Sequence, residues 1–196
     1  MISEKQIERT LQKLVRLEST LEQQLFQRVD SVPMKWFHTM ERLHAVPEDS
    51  LFSQPGESWG QEGQYCWFKG TYTVPAELAG MDLYLYPKTG AYEGMLWKDG
   101  VPYGNFASKE VVGSHGNHYC DLFLQNARLG QTVELALEFY AGHYCIGCMP
   151  LTDEGSRDFR RPVGPADVCV KDSLISDFLF DLKTLNELVQ ALEQDS

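Results

Sequence analysis

No stretch of this 196-residue chain approaches the roughly eighteen uninterrupted apolar residues of a membrane span, so no helical membrane anchor is expected. An apolar leader is missing too: Ser3, Glu4 and Lys5 bring polarity at once, and no secretory signal is predicted. Cysteine is scarce and odd in number. Cys66, Cys120, Cys145, Cys148 and Cys169 are unevenly spaced, which argues against a disulfide framework and for free thiols in the cytoplasm. Positive charge is in deficit, with 17 Lys and Arg against 28 Asp and Glu and a net charge of −11. Such a surface repels phosphate backbones and excludes nucleic acid as the expected partner. There is no P-loop or dinucleotide fingerprint. No internal repeat or low-complexity segment is visible. The length excludes a large catalytic barrel with accessory domains. What is present, 43% hydrophobic and 12% aromatic residues, is ample for a folded core.

The pattern divides the chain into five parts. Residues 1–30 read as an N-terminal helix, capped by Ser3 with Gln6 as its capping-box partner. Ile7, Leu11, Leu14, Leu21 and Leu25 form a near-heptad stripe interrupted by Glu18. That stripe suits either a partner or homo-oligomer contact or packing on its own domain. Residues 31–63 are irregular, punctuated by Pro33, Pro47, Pro55, Gly56, Gly60 and Gly63. Trp36, Phe37, Leu51, Phe52 and Trp59 make this segment too apolar for a free linker, so it is expected to wrap the next domain. From 64 to 150 the period is two. Tyr65, Trp67, Lys69 and Thr71 alternate with Cys66, Phe68, Tyr72 and Val74. Further strands are predicted at 81–86, 91–98, 101–107, 118–124, 132–140 and 143–148. Lys98-Asp99-Gly100 marks a type I′ hairpin. Residues 151–172 read as an irregular connector whose Arg157, Arg160 and Arg161 are expected to pair with carboxylates. Residues 173–196 read as a C-terminal helix capped by Ser173 or Asp172. The predicted fold is therefore mainly β: an antiparallel sandwich, or jelly roll, with a helix at each end.

Two kinds of chemistry are open. His118-Tyr119-Cys120 and His143-Tyr144-Cys145 each place a His and a Cys two residues apart, on one face of a strand, and Cys148 adds a thiol. These residues are either a metal set or buried thiols and hydrogen-bonded imidazoles. Alternatively, sugar rings can stack on aromatics beside polar groups. Trp59, Trp67, Trp97, Tyr92, Tyr103 and Tyr140 are the candidates, with Asp99 and His143 as polar partners; the same aromatics also suit a sandwich core. A glycosidase needs two carboxylates about 5 to 9 Å apart. Glu134 and Glu138, four apart on one strand, are expected to be about 13 Å apart and to face solvent. Glu93, Asp121, Asp153 and Asp158 have no motif around them. No catalytic residue is assigned.

Several segments together carry a resemblance. Trp67-Phe68-Lys69-Gly70-Thr71-Tyr72-Thr73-Val74-Pro75 with Gly80 resembles the opening of the galactose-binding-like jelly rolls of glycoside hydrolases. Glu93-Gly94 through Asp99-Gly100-Val101-Pro102 resembles their hairpin. Glu138-Phe139-Tyr140-Ala141-Gly142-His143 is similar to a segment of bacterial, cytosolic-type α-mannosidases, and Asp181-Leu182-Lys183-Thr184-Leu185 to the helix that follows it, with Phe180 where Tyr is usual. The resemblance implies glycoside hydrolase family 38, whose members are zinc-dependent, retaining α-mannosidases. It implies that zinc and the nucleophile belong to a catalytic domain absent from this sequence, since no Gly-His-x-His-x-Asp pattern occurs here. This chain would then need no cofactor of its own. Its implied partners are that catalytic domain and a mannose-containing glycan. A free-standing carbohydrate-binding module and a structural or dimerisation domain are the alternatives.

Overall fold

The computed structural model describes residues 4–89, 93–107, 119–143 and 159–194. The chain forms two compact units, residues 1–28 with 170–196, and residues 29–169. Its elements run α1 (Glu4–Glu22), β1 (Phe26–Val32), β2 (Lys35–Thr39), β3 (Ser58–Trp59), β4 (Tyr65–Thr73), β5 (Leu83–Pro87), β6 (Glu93–Lys98), β7 (Val101–Ala107), β8 (Asp121–Leu124), β9 (Thr132–Tyr140), β10 (Arg161–Pro162), β11 (Ala166–Lys171) and α2 (Ser173–Gln194). The expected mainly β architecture is what the structure has. Its strands form a five-stranded sheet in the order β2-β4-β9-β6-β7, a four-stranded sheet β1-β11-β5-β8 and the small pair β10-β3. Among the described residues, no helix is long and apolar enough to cross a membrane.

The longest pairing, β4 with β9, follows directly from alternation. Both strands carry apolar residues at every second position. Antiparallel pairing in the register Phe68↔Leu137 and Tyr72↔Val133 puts those residues on one side of the sheet. Phe68, Leu96, Leu135, Leu137 and Phe139 are buried there, as are Leu83, Leu85, Phe123 and Val168 of the four-stranded sheet. Tyr72 of β4 meets Phe123 of β8 edge-on with ring centroids 5.8 Å apart, which ties the sheets together. Each such side chain contributes about 1.5–3 kcal/mol through burial. The β6–β7 hairpin turns at Asp99 and Gly100 with φ of 50° and 77°, the two positive values a type I′ turn requires.

Three boundaries differ from the sequence reading. The first helix stops at Glu22 rather than continuing to 30. Residues 26–32 instead form β1, where Val29 and Val32 suit a strand. The segment 31–63 is not wholly irregular, since it contains β2 and β3. The connector 151–172 contains β11, buried over Ala166–Cys169 and internal to its sheet. A strand buried on both faces has no polar alternation to announce it. The predicted strand at 143–148 lies almost wholly outside the described residues, as do Ser3 and Arg157.

In the helical unit, the Asp172 side chain caps α2 by accepting the Ile175 backbone N–H at 3.0 Å. Lys183 of α2 reaches Glu22 at 2.7 Å and Glu18 at 3.7 Å. Glu18 therefore breaks the apolar stripe of α1 because it forms an ion pair. Ile7, Leu11, Val15 and Leu17 are exposed.

Candidate functional site

The outward face of the five-stranded sheet carries the second set of alternating residues. On β4 these are Tyr65, Trp67, Lys69 and Thr71; on β9 they are Tyr140, Glu138, Ala136 and Glu134, directly opposite. The centre of this face is covered by the segment after β2. Leu43, Val46 and Phe52, with Phe37 of β2, pack on Trp67, Trp97 and Ala136. Mutual backbone hydrogen bonds between Trp36 and Ser53, at 2.8 and 2.9 Å, fasten this strap to the sheet edge. A cleft lies on either side of this strap.

The larger cleft, about 460 Å³, is lined by Arg42, Tyr65, Glu93, Met95, Glu138 and Tyr140, with Asn105 on its rim. Its size falls in the range of roughly 300–1,000 Å³ typical of small-molecule sites. Tyr65 and Tyr140 occupy opposite register positions, and their rings lie 4.7 Å apart at 37°. His143 adds an edge contact to Tyr140 at 5.7 Å, and its Nδ1 lies 3.4 Å from Glu62. Burial pushes the Glu138 carboxyl above its ordinary range; the Trp97 N–H, Arg42 and His44 act in the opposite direction. That N–H lies near the carboxylate but outside hydrogen-bonding geometry, and Trp67 and Trp97 both bury indole N–H groups without a hydrogen bond. The smaller cleft, about 230 Å³, is lined by Lys35, Asp49, Lys69 and Glu134 among others. Lys69 bridges Asp49 at 2.6 Å and Glu134 at 3.1 Å, so these three charges satisfy one another.

The sequence candidates divide sharply. Trp67 is fully buried, Trp59 is 4% exposed and Trp97 is 6% exposed. Their ring faces are out of a sugar's reach, so the expectation of a stacking role is corrected: they are core. Trp59 also donates to the Thr89 carbonyl at 3.0 Å. Asp99 serves its hairpin, accepting the Glu134 backbone N–H at 2.9 Å. Tyr103 is exposed beneath Lys98, whose ammonium sits 4.6 Å from the ring centroid. Tyr140 lines the cleft, with His143 against it. Of the metal candidates, His118, Cys145 and Cys148 lie outside the described residues, as does Tyr92. Cys120 interacts with Cys169 of β11, while His143 interacts with Glu62, so these two do not share a cluster. Among the described residues, no group of three or more His, Cys, Asp or Glu side chains is placed to hold a metal ion. Of the arginines expected to pair with carboxylates, Arg161 donates to the Ala141 carbonyl at 3.2 Å.

Sequence reasoning missed Arg42, Tyr65, Glu93, Asn105 and Glu138 as site residues. Alternation already put Tyr65 with Trp67 and Tyr140 with Glu138. Only the β4–β9 register brings the two pairs together.

No family model matches the chain. Human α-mannosidase 2C1 is 28% identical over 116 residues, covering 58% of this chain. The chain spans about a tenth of the length of that curated relative; the matched part is 10% of it. Among solved structures, Bacteroides uniformis β-glucuronidase 2 aligns with 74% of this chain and 18% of its own, at a TM-score of 0.47 and 11% identity. Faecalibacterium prausnitzii β-glucuronidase aligns with 76% of this chain and 32% of its own, at a TM-score of 0.45 and 11% identity.

Proposed function

We propose that this chain is the N-terminal accessory β-sandwich region of an α-mannosidase-type glycoside hydrolase, and that it is not catalytic by itself. The observation that carries this reading is the 116-residue similarity to human α-mannosidase 2C1, a protein many times longer than the matched segment. The ordered segments around Trp67, Glu93, Glu138 and Asp181 agree with it. In this reading the sandwich is of the galactose-binding-like type, and retaining chemistry and zinc belong to a catalytic domain. The described residues do not form a zinc site, so no zinc-dependent step is assigned to them. The free thiols Cys66, Cys120 and Cys169 are compatible with a cytoplasmic parent enzyme.

Antibodies raised against the sandwich test the proposal on the native polypeptide. The expected native species is several times longer than 196 residues and co-purifies with α-mannosidase activity, whereas this chain alone with added zinc does not hydrolyse nitrophenyl α-mannoside. Turnover by this chain overturns the proposal, and so does a native species of only this size.

A further inference from the structure

We propose that the cleft beside the strap, between Arg42, Tyr65, Met95, Glu138 and Tyr140, binds a pyranose sugar. The chemistry follows from what the cleft presents. A pyranose has apolar C–H faces and a girdle of hydroxyls, each both donor and acceptor. The cleft offers a matching pair of surfaces. The close Tyr65–Tyr140 pair and the Met95 thioether supply an apolar platform, each half-buried and so held in place by its strand. Arg42 and Asn105 supply donors at the rim, and Glu138 and Glu93 supply acceptors.

Other ligand classes fit less well. Glu138 and Glu93 would repel a phosphate or carboxylate. A purely apolar ligand would bury those carboxylates without compensation. A cation would gain from the tyrosines and carboxylates but would meet the Arg42 guanidinium, which acts on the same Glu138. A carboxylate next to a guanidinium suits two neighbouring hydroxyls, one donating and one accepting. The platform is also built into the sheet: Tyr65 and Tyr140 are opposed by register, and Glu138 sits two residues along β9 from Tyr140 on the same face.

The geometry asks for a pyranose; a mannoside as first probe rests on the accessory-domain reading. The test is an amide-detected NMR titration of the whole chain with methyl α-D-mannopyranoside, methyl β-D-glucopyranoside, methyl β-D-galactopyranoside and choline chloride. At least one pyranoside is expected to saturate with a dissociation constant of about 1 mM, the scale for a ligand of a dozen heavy atoms. The shifted amides should lie around residues 65, 95, 138 and 140. Tyr140→Ala and Arg42→Ala should each weaken binding tenfold or more at an unchanged thermal midpoint. Should Tyr140→Ala fail to fold, Arg42→Ala at its exposed position decides. No saturation by any pyranoside up to about 50 mM overturns the proposal. So does choline binding without sugar binding, or sugar-induced shifts confined to another face. A glucoside or galactoside that binds where the mannoside does not supports the sugar cleft and counts against the mannosidase link. A failed titration leaves the native-size experiment untouched.

Discussion

Lys69 of β4 holds Asp49 of the overlying strap through a 2.6 Å ion pair, and the same ammonium reaches Glu134 of β9 at 3.1 Å. One cation thus joins the strap to two strands. Its burial disfavours the charge, but the hydrogen bonds it donates to Asp49 and Glu134 outweigh this and raise its pKa. In return, the hydrogen bond from Lys69 lowers that of Asp49. A carboxylate whose folded pKa is depressed stabilises above its unfolded value and loses that contribution as pH falls through the folded one. Amide protection at Trp36 and Ser53, corrected for intrinsic exchange, should therefore hold from pH 7 to 5 and drop below about pH 4. Lys69→Met should lower it between pH 7 and 5 and abolish the acid step. An acid step of unchanged size in the variant argues that other carboxylates fasten the strap.

Glu138 has the opposite sign. Burial raises its folded pKa above the ordinary carboxylate range, so the folded state holds the proton where the unfolded state has released it. Its contribution is favourable at low pH and is lost as pH rises through the folded pKa. Glu138→Gln should melt above the parent protein at pH 7 and level with it near pH 4. Melting curves across that range check this; a variant less stable at pH 7 shows that Arg42 and His44 outweigh burial.

Asp167 is fully buried and pairs with Lys88 at 2.8 Å. Removing one partner of a buried pair leaves the other charge without compensation, at a cost of about 3–5 kcal/mol. Lys88→Met is expected at the lower end, because Lys88 is itself half-exposed. Asp167→Asn added to that variant should recover part of the loss in a urea-unfolding double-mutant cycle. Additive losses place the effect of Lys88 elsewhere.

Gly94 lies on β6 opposite Phe139, and a Cβ there would fall within the Phe139 ring. Gly94→Ala should cost about 1–3 kcal/mol through overpacking. Phe139→Leu in the same chain should relieve part of it. Chemical denaturation of the four species tests the coupling, and a neutral Gly94→Ala shows that the ring shifts freely.

The five parts of the chain were legible to very different degrees. β9 was readable to the residue, because Val133, Leu135, Leu137 and Phe139 alternate with Thr132, Glu134 and Glu138. The Asp99-Gly100 turn was readable because few dipeptides accept two positive φ values. β1 and β11 were not. β1 follows a helix with no strong break, and β11 is covered on both sides. Its pairing with Tyr84, Leu85 and Tyr86 joins residues some eighty positions apart. The site followed the same division: alternation put Trp67 outward, but covering that outward face was the strap's doing.

Composition and periodicity alone determined that this is an acidic, mainly β chain with terminal helices, since those properties depend on local spacing and residue type. The tertiary structure decided which aromatics are available to a ligand. Strand register and the strap are long-range pairings; they buried Trp59, Trp67 and Trp97 and set Tyr65, Tyr140 and Glu138 around one cleft.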